Sequence, residues 1–304
     1  MTVIALAAGV ALIPGEREQW TMLVRDGHHQ EAIRVLESRY RHGHREMDAV
    51  LHMHKLYMAL ADIERATRVM ENFVTDRPGD PAALTLLARH YGDIQDKAGE
   101  IRTLERLFEL EPSLPTARHL LTHYRIEGEF AREETLLRRL LGINLITAND
   151  AERLGLLLAS NGDLYGARDA LVRFDEIANP ERVVGRLALF DVLVQIGDKA
   201  TALSKGASWT VYWRKVSLHH PSSGLPAARL IRMMLALDES AARKAICEVQ
   251  REEFGTVGVA AHSPLAVCDL DEPDSVADGE AAPGSGTGAS NALLRDDVGR
   301  RRRR

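Results

Sequence analysis

Six of the 12 histidines in this 304-residue chain crowd into one stretch: His28, His29, His42, His44, His52 and His54. Neutral imidazoles are common transition-metal ligands, so these rings would bind zinc, nickel or copper if they converged. The chain closes on five arginines, Arg300–Arg304, a run suited to nucleic acid, anionic lipid or an acidic partner. Adjacent carboxylates such as Glu133 and Glu134 serve acid–base catalysis only when a cleft holds them. No phosphate-binding loop, dinucleotide fingerprint, nucleophile elbow or HExxH run accompanies them. The two cysteines, Cys247 and Cys268, are too few for a disulfide framework or a four-thiolate zinc site. The chemistry therefore turns on the elements that hold these residues.

Composition narrows those elements. Apolar residues at 45% and charged residues at 27% fit a chain with a core and exclude a polytopic membrane protein. Aromatics at 5% argue against a large sandwich or barrel. A net charge of −5 gives no overall field that points to nucleic acid. One period then organises the chain. Pro78 and Pro112, Pro81 and Pro115, Tyr57 and Tyr91, Ala32 and Ala66, and Gly128 and Gly162 are each 34 residues apart. Each unit reads as a helix, a break, a second helix and a stop near a proline. The breaks fall at Gly27, Ala61, Gln95, Gly128, Gly162 and Gly197, where glycine accepts left-handed backbone angles without penalty. The prolines end second helices because they lack an amide hydrogen and disfavour helix in the preceding residue.

The arrangement resembles the tetratricopeptide repeat (TPR), a 34-residue helix–turn–helix unit. The resemblance is carried by DGHHQEAIRVLE (26–37), ADIERATRVMENFVTDRPGDP (61–81), ERLGLLLASNGDLYGARDALVRF (152–174) and IGDKATAL (196–203). The small residue of the second helix is matched by Ala32, Ala66, Ala167 and Ala202. Glu100 and Glu133 replace it in units three and four, which predicts looser packing or a rotation of those units. The small residue of the first helix is matched by Ala88 and Gly155, whereas Trp20, His54, Leu121 and Phe190 replace it elsewhere. The resemblance implies an all-α, right-handed α-solenoid of six units spanning about 13–46, 47–80, 81–113, 114–147, 148–182 and 183–215. The domain reading is an apolar segment over 1–14, repeats over 15–215, a helical cap over 216–261 and a disordered tail over 262–304. In unit two the core stripe is expected to include Val50, Met53, Tyr57, Ile63, Val69, Met70 and Phe73.

In that frame the histidines do not converge. His28 and His29 fall in a turn, while His42 and His44 fall in a loop at the opposite end of the helix, about 12 Å away. His52 and His54 point to different helix faces. No metal, cofactor or catalytic activity is expected. The family's concave face would present Lys55, Arg89, Arg118, Thr122, Arg125 and Asn149 to a protein partner or extended peptide, with a more acidic far end at Glu152 and Asp191. Guanidinium groups suit carboxylates because they donate paired hydrogen bonds. The lysine and asparagine set with which some TPR proteins clamp a peptide terminus is not reproduced. The implied function is a non-catalytic scaffold or adaptor that docks proteins along its groove. The alternative is binding of nucleic acid or an acidic partner by the basic groove and arginine tail. Residues 3–13, VIALAAGVALI, are uncharged but too few to span a bilayer. Read as the end of an export signal or anchor, they place the repeats at a bacterial cell envelope, as in polysaccharide-export assemblies, rather than in the cytoplasm; the alternative reading is a buried helix that caps the repeats. Oligomeric state is not legible.

Overall fold

The computed structural model describes residues 16–217 and 224–254. The apolar amino-terminal segment, the acidic stretch after 262 and Arg300–Arg304 lie outside the described residues. Among those described there are fourteen helices and no strand. They pair in chain order: α1 (Glu16–Arg25) with α2 (His29–Arg41), α3 (Met47–Ala59) with α4 (Ile63–Asp76), and α5 (Pro81–Asp93) with α6 (Lys97–Leu110). Then come α7 (Leu114–Glu127) with α8 (Phe130–Gly142), α9 (Ala148–Ser160) with α10 (Leu164–Ile177), and α11 (Val184–Gln195) with α12 (Lys199–Ser217). A last pair, α13 (Gly224–Leu237) and α14 (Glu239–Phe254), packs on α12. The pairs stack in sequence as an α-solenoid.

Local chemistry accounts for the period. Every break takes a positive φ: Gly27 (80°), Ala61 (56°), Gln95 (61°), Gly128 (72°), Gly162 (83°) and Gly197 (87°). Three second helices then start on an aspartate that accepts a backbone N–H, Asp62 from Arg65, Asp96 from Gly99 and Asp163 from Gly166. Asp198 accepts likewise from Thr201. Such a cap satisfies a helix-terminal donor that has no partner within the helix. First helices are capped by Asp80, Ser113 and Thr147.

Side-chain volume decides how closely each pair approaches. The two most extensively packed pairs are α5–α6 and α9–α10. These are the pairs whose first helix carries Ala88 or Gly155. A Cβ added at Gly155 would run into Leu171, so the glycine lets α10 sit against the backbone of α9. Trp20, Leu121 and Phe190 are each buried at the equivalent place and hold their pairs apart. The expected loosening of units three and four therefore splits. Unit four, with Leu121 and Glu133, is the more open. Unit three is not loose, because Gly92 leaves room for the Glu100 carboxylate and Gly99 seats against the ring of Tyr91. Ile63 also departs from expectation. As the first residue after the Asp62 cap it is exposed rather than in the core, because a side chain in the first turn points back off the helix end. The remainder of its stripe, Val50, Met53, Tyr57, Val69, Met70 and Phe73, is buried.

Candidate functional site

Lys55 on α3, Arg89 on α5 and Arg118 on α7 occupy successive first helices, and all three are exposed. Among the described residues none of these side chains has a hydrogen-bond or ion-pair partner. Thr122 lies one turn beyond Arg118, exposed, its hydroxyl donating to the Arg118 carbonyl at 2.8 Å. Arg125 is placed differently. Its guanidinium donates to Glu133 at 2.6 Å and to Asp150 at 3.1 Å. Asn149 accepts from Arg182, which also pairs with Glu152. Glu152 is itself buried and accepts the Gly185 amide at 2.7 Å. The far end is thus neutralised within the chain rather than presented as an acidic surface; Asp191 stays exposed.

Glu133, in the alanine position of unit four, has no solvent-exposed surface. Arg153 joins Arg125 on it through Nη2 at 3.1 Å. Burial opposes ionisation of this carboxyl, but hydrogen bonds from Arg153 and Arg125 outweigh it and hold Glu133 below the usual carboxylate range. A second closed cluster lies in units five and six. Buried Arg186 donates to Asp175 at 2.8 Å, and Asp175 also receives Lys205 and the Trp209 indole. In both clusters the carboxylates are matched by cations or an indole N–H within the chain.

The histidines separate as the helix geometry requires. The His52 ring packs on Trp20 with centroids 4.4 Å apart, and it faces Asp48. His54 turns to the other side and meets His90 of α5, Nε2 to Nδ1 at 2.9 Å. His90 lies outside the crowded stretch, and its 36-residue distance from His54 hid the pairing from sequence reasoning. A cleft of about 610 Å³ brings His42 and His44 beside Arg34 and Arg39, whose charges oppose a metal ion. Among the described residues no group of three or more histidine, cysteine or carboxylate side chains is placed to hold one.

One contact recurs at the period of the sequence. The hydroxyl of a tyrosine near the end of a first helix donates to a glutamate on the preceding second helix: Tyr57 to Glu37, Tyr91 to Glu71 and Tyr124 to Glu105. Glu37, Glu71 and Glu105 are 34 residues apart. Burial, followed by the bond to glutamate, pushes the Tyr91 phenol up to about 12 and raises the other two. Equivalent residues thus make equivalent contacts in consecutive helix pairs. The fold is of the tetratricopeptide type. In TPR terms, the small residue of the second helix is fully buried at Ala32, Ala66, Ala167 and Ala202, and Glu100 and Glu133 are the two polar exceptions.

No family model matches the chain, and no curated protein matches it. Among solved structures, one described as Naa15/Naa10 bound to HypK-THB is 13% identical, with a TM-score of 0.43 over 78% of this chain. The chain spans 36% of the length of that protein. YrrB, described as a TPR protein with an unusual peptide-binding site, is 15% identical with a TM-score of 0.34, covering 58% of this chain and 96% of its own. A tetratricopeptide repeat protein from Parabacteroides merdae is 12% identical with a TM-score of 0.35, covering 77% and 97%. The tetratricopeptide character of the fold lies in its aspartate caps, buried alanines and recurring tyrosine–glutamate contacts.

Proposed function

We propose that this protein is a non-catalytic TPR scaffold that docks an extended acidic segment of a partner protein along its first helices. The observation that carries the reading is the row Lys55, Arg89 and Arg118. Three cations on consecutive first helices stay exposed and, among the described residues, without a partner, while most other arginines of the repeats are matched to carboxylates. Unmatched cations carried on successive stacked helices favour a ligand that runs across the helices with several carboxylates. Thr122 adds a hydroxyl beside Arg118. Arg125 and Asn149 serve this reading as supports, held by Glu133 and Arg182, rather than as primary contacts.

The test is the full chain with Lys55→Glu, Arg89→Glu and Arg118→Glu combined, used as bait beside the unaltered chain. Loss of captured partners that bind the unaltered chain in a salt-sensitive way is the expected result. Retention of every partner refutes the groove. We further propose an envelope location, supported by the uncharged segment 3–13. Reporter fusions at each end of the chain test it, and cytoplasmic signal from both fusions would refute it.

A further inference from the structure

A chain of hydrogen bonds runs from α3 through α5 to α4, and its donors can be assigned by elimination. Thr67 Oγ1 lies 2.9 Å from the Ile63 carbonyl, which can only accept, so the hydroxyl hydrogen is spent there. Thr67 Oγ1 is also 2.7 Å from His90 Nε2 and must accept from it. His90 therefore carries its proton on Nε2, and its Nδ1 is an acceptor. The atom facing that Nδ1 at 2.9 Å is His54 Nε2, which must be the donor. The two rings meet edge-on with centroids 4.8 Å apart, and His90 is 1% exposed. Both nitrogens of His90 are committed. In His54 only Nε2 is committed, and among the described residues Nδ1 has no partner.

We propose that His54 is a proton-linked member of the anion-binding row, taking up a proton on Nδ1 when an acidic ligand docks beside Lys55. This rests on the docking face proposed above. The relay makes the step local. A proton on His54 Nδ1 leaves the Nε2–H donor in place, whereas a proton on His90 Nδ1 would set two donors against each other. His54 therefore charges first and adds a cation without disturbing the α3–α5 contact.

The charges around the pair set the sign. Without ligand, burial, His90 and Lys55 disfavour a charged His54, while Asp93 favours it. Burial likewise opposes a charge on His90, with Asp93 and Glu71 favouring one. Tyr91 packs near His90, and its hydroxyl is committed to Glu71. An incoming carboxylate offsets the repulsion from Lys55 and draws the proton in. By reciprocity of linkage, the same carboxylate binds more tightly as pH falls. One added charge at close range through solvent-screened surface is worth about three- to tenfold in affinity.

The experiment is calorimetric titration of the full chain with a terminally capped oligo-aspartate at about pH 7.5 and about pH 5, where aspartate remains ionised. The unaltered chain should bind about three- to tenfold more tightly at the lower pH, with net proton uptake. His54→Gln keeps a donor for His90 but cannot titrate, and should bind with little pH dependence. Lys55→Met should weaken binding at both pH values and keep the slope. Nitrogen-15 histidine spectra should show both His54 and His90 as Nε2–H tautomers. Binding without a pH slope, a slope that survives in His54→Gln, or an Nδ1–H tautomer at His90 would overturn the proposal and leave the docking face standing. No binding of the peptide at either pH would remove the docking face and the proposal together.

Discussion

Removing the buried Glu133 carboxylate should weaken the repeat array through a specific electrostatic route. Glu133 accepts from Arg125 Nε at 2.6 Å and from Arg153 Nε and Nη2 at 3.3 and 3.1 Å. Breaking a buried ion pair from one side costs about 3–5 kcal/mol when the stranded charge cannot reach water. Here the stranded groups are arginines whose side chains are 42% and 41% exposed. They can turn toward solvent, and Arg125 keeps Asp150. That lowers the expected cost of Glu133→Gln at neutral pH to about 1–2 kcal/mol, the range of a lost charge-assisted hydrogen bond. Glu133→Ala should cost about 1 kcal/mol more, because it also opens a small cavity. Urea unfolding followed by circular dichroism is the assay. The sign with pH is fixed. Glu133 is held below its ordinary range in the folded chain, so its contribution is complete above the unfolded value of about 4.3 and disappears as pH falls through the folded one. The gap between the unaltered chain and Glu133→Gln should therefore close in acid. A double-mutant cycle with Arg125→Met should return a coupling of about 0.5–3 kcal/mol. A cost below about 0.5 kcal/mol for Glu133→Gln at neutral pH, within the range of ordinary surface substitutions, would refute the reasoning. So would a gap that stays constant into acid.

Three further outcomes are expected. Ala61→Gly and Gln95→Gly should each raise stability by about 0.5–1 kcal/mol in the same assay, since both positions hold φ near 60° and a side chain there is strained. Gly155→Val should lower stability by about 1–3 kcal/mol by driving α10 off α9, visible as faster amide exchange in both helices. Burial holds His54 and His90 below the ordinary histidine value. Their neutral forms therefore add stability that is complete above about pH 6.5 and fades as pH falls toward the folded values. His90→Gln can accept from His54 and donate to Thr67 without titrating, so its stability should change less over that window in pH-stepped urea melts.

The period and the helix breaks were legible because each is a property of adjacent residues. A left-handed turn at Gly128 and a proline just past a second helix, as at Pro78, act through backbone angles that span a few positions. The structure adds the aspartate caps such as Asp163 and places Pro81 in the first turn of α5. Buried alanines at a constant offset from those caps follow from the same local geometry. The basic row could be named from its place in the unit, but its availability could not. Whether an arginine is unmatched depends on carboxylates that arrive from other helices. Arg125 meets Glu133 and Asp150 across two turns of chain, whereas Arg118 on the same helix meets none among the described residues.

The closeness of α5 to α6 and of α9 to α10 was half legible, since Ala88 and Gly155 mark those pairs. The compensation of Glu100 by Gly92 joins residues on facing helices and needed coordinates. So did the relay from His54 to His90 and Thr67. The amino-acid order thus determined where helices begin, turn and stack, because those choices are made within one turn of chain. The pairing of charges and imidazoles across helices was left to the tertiary structure, because it depends on the rotation of each helix about its axis and the distance to its neighbour.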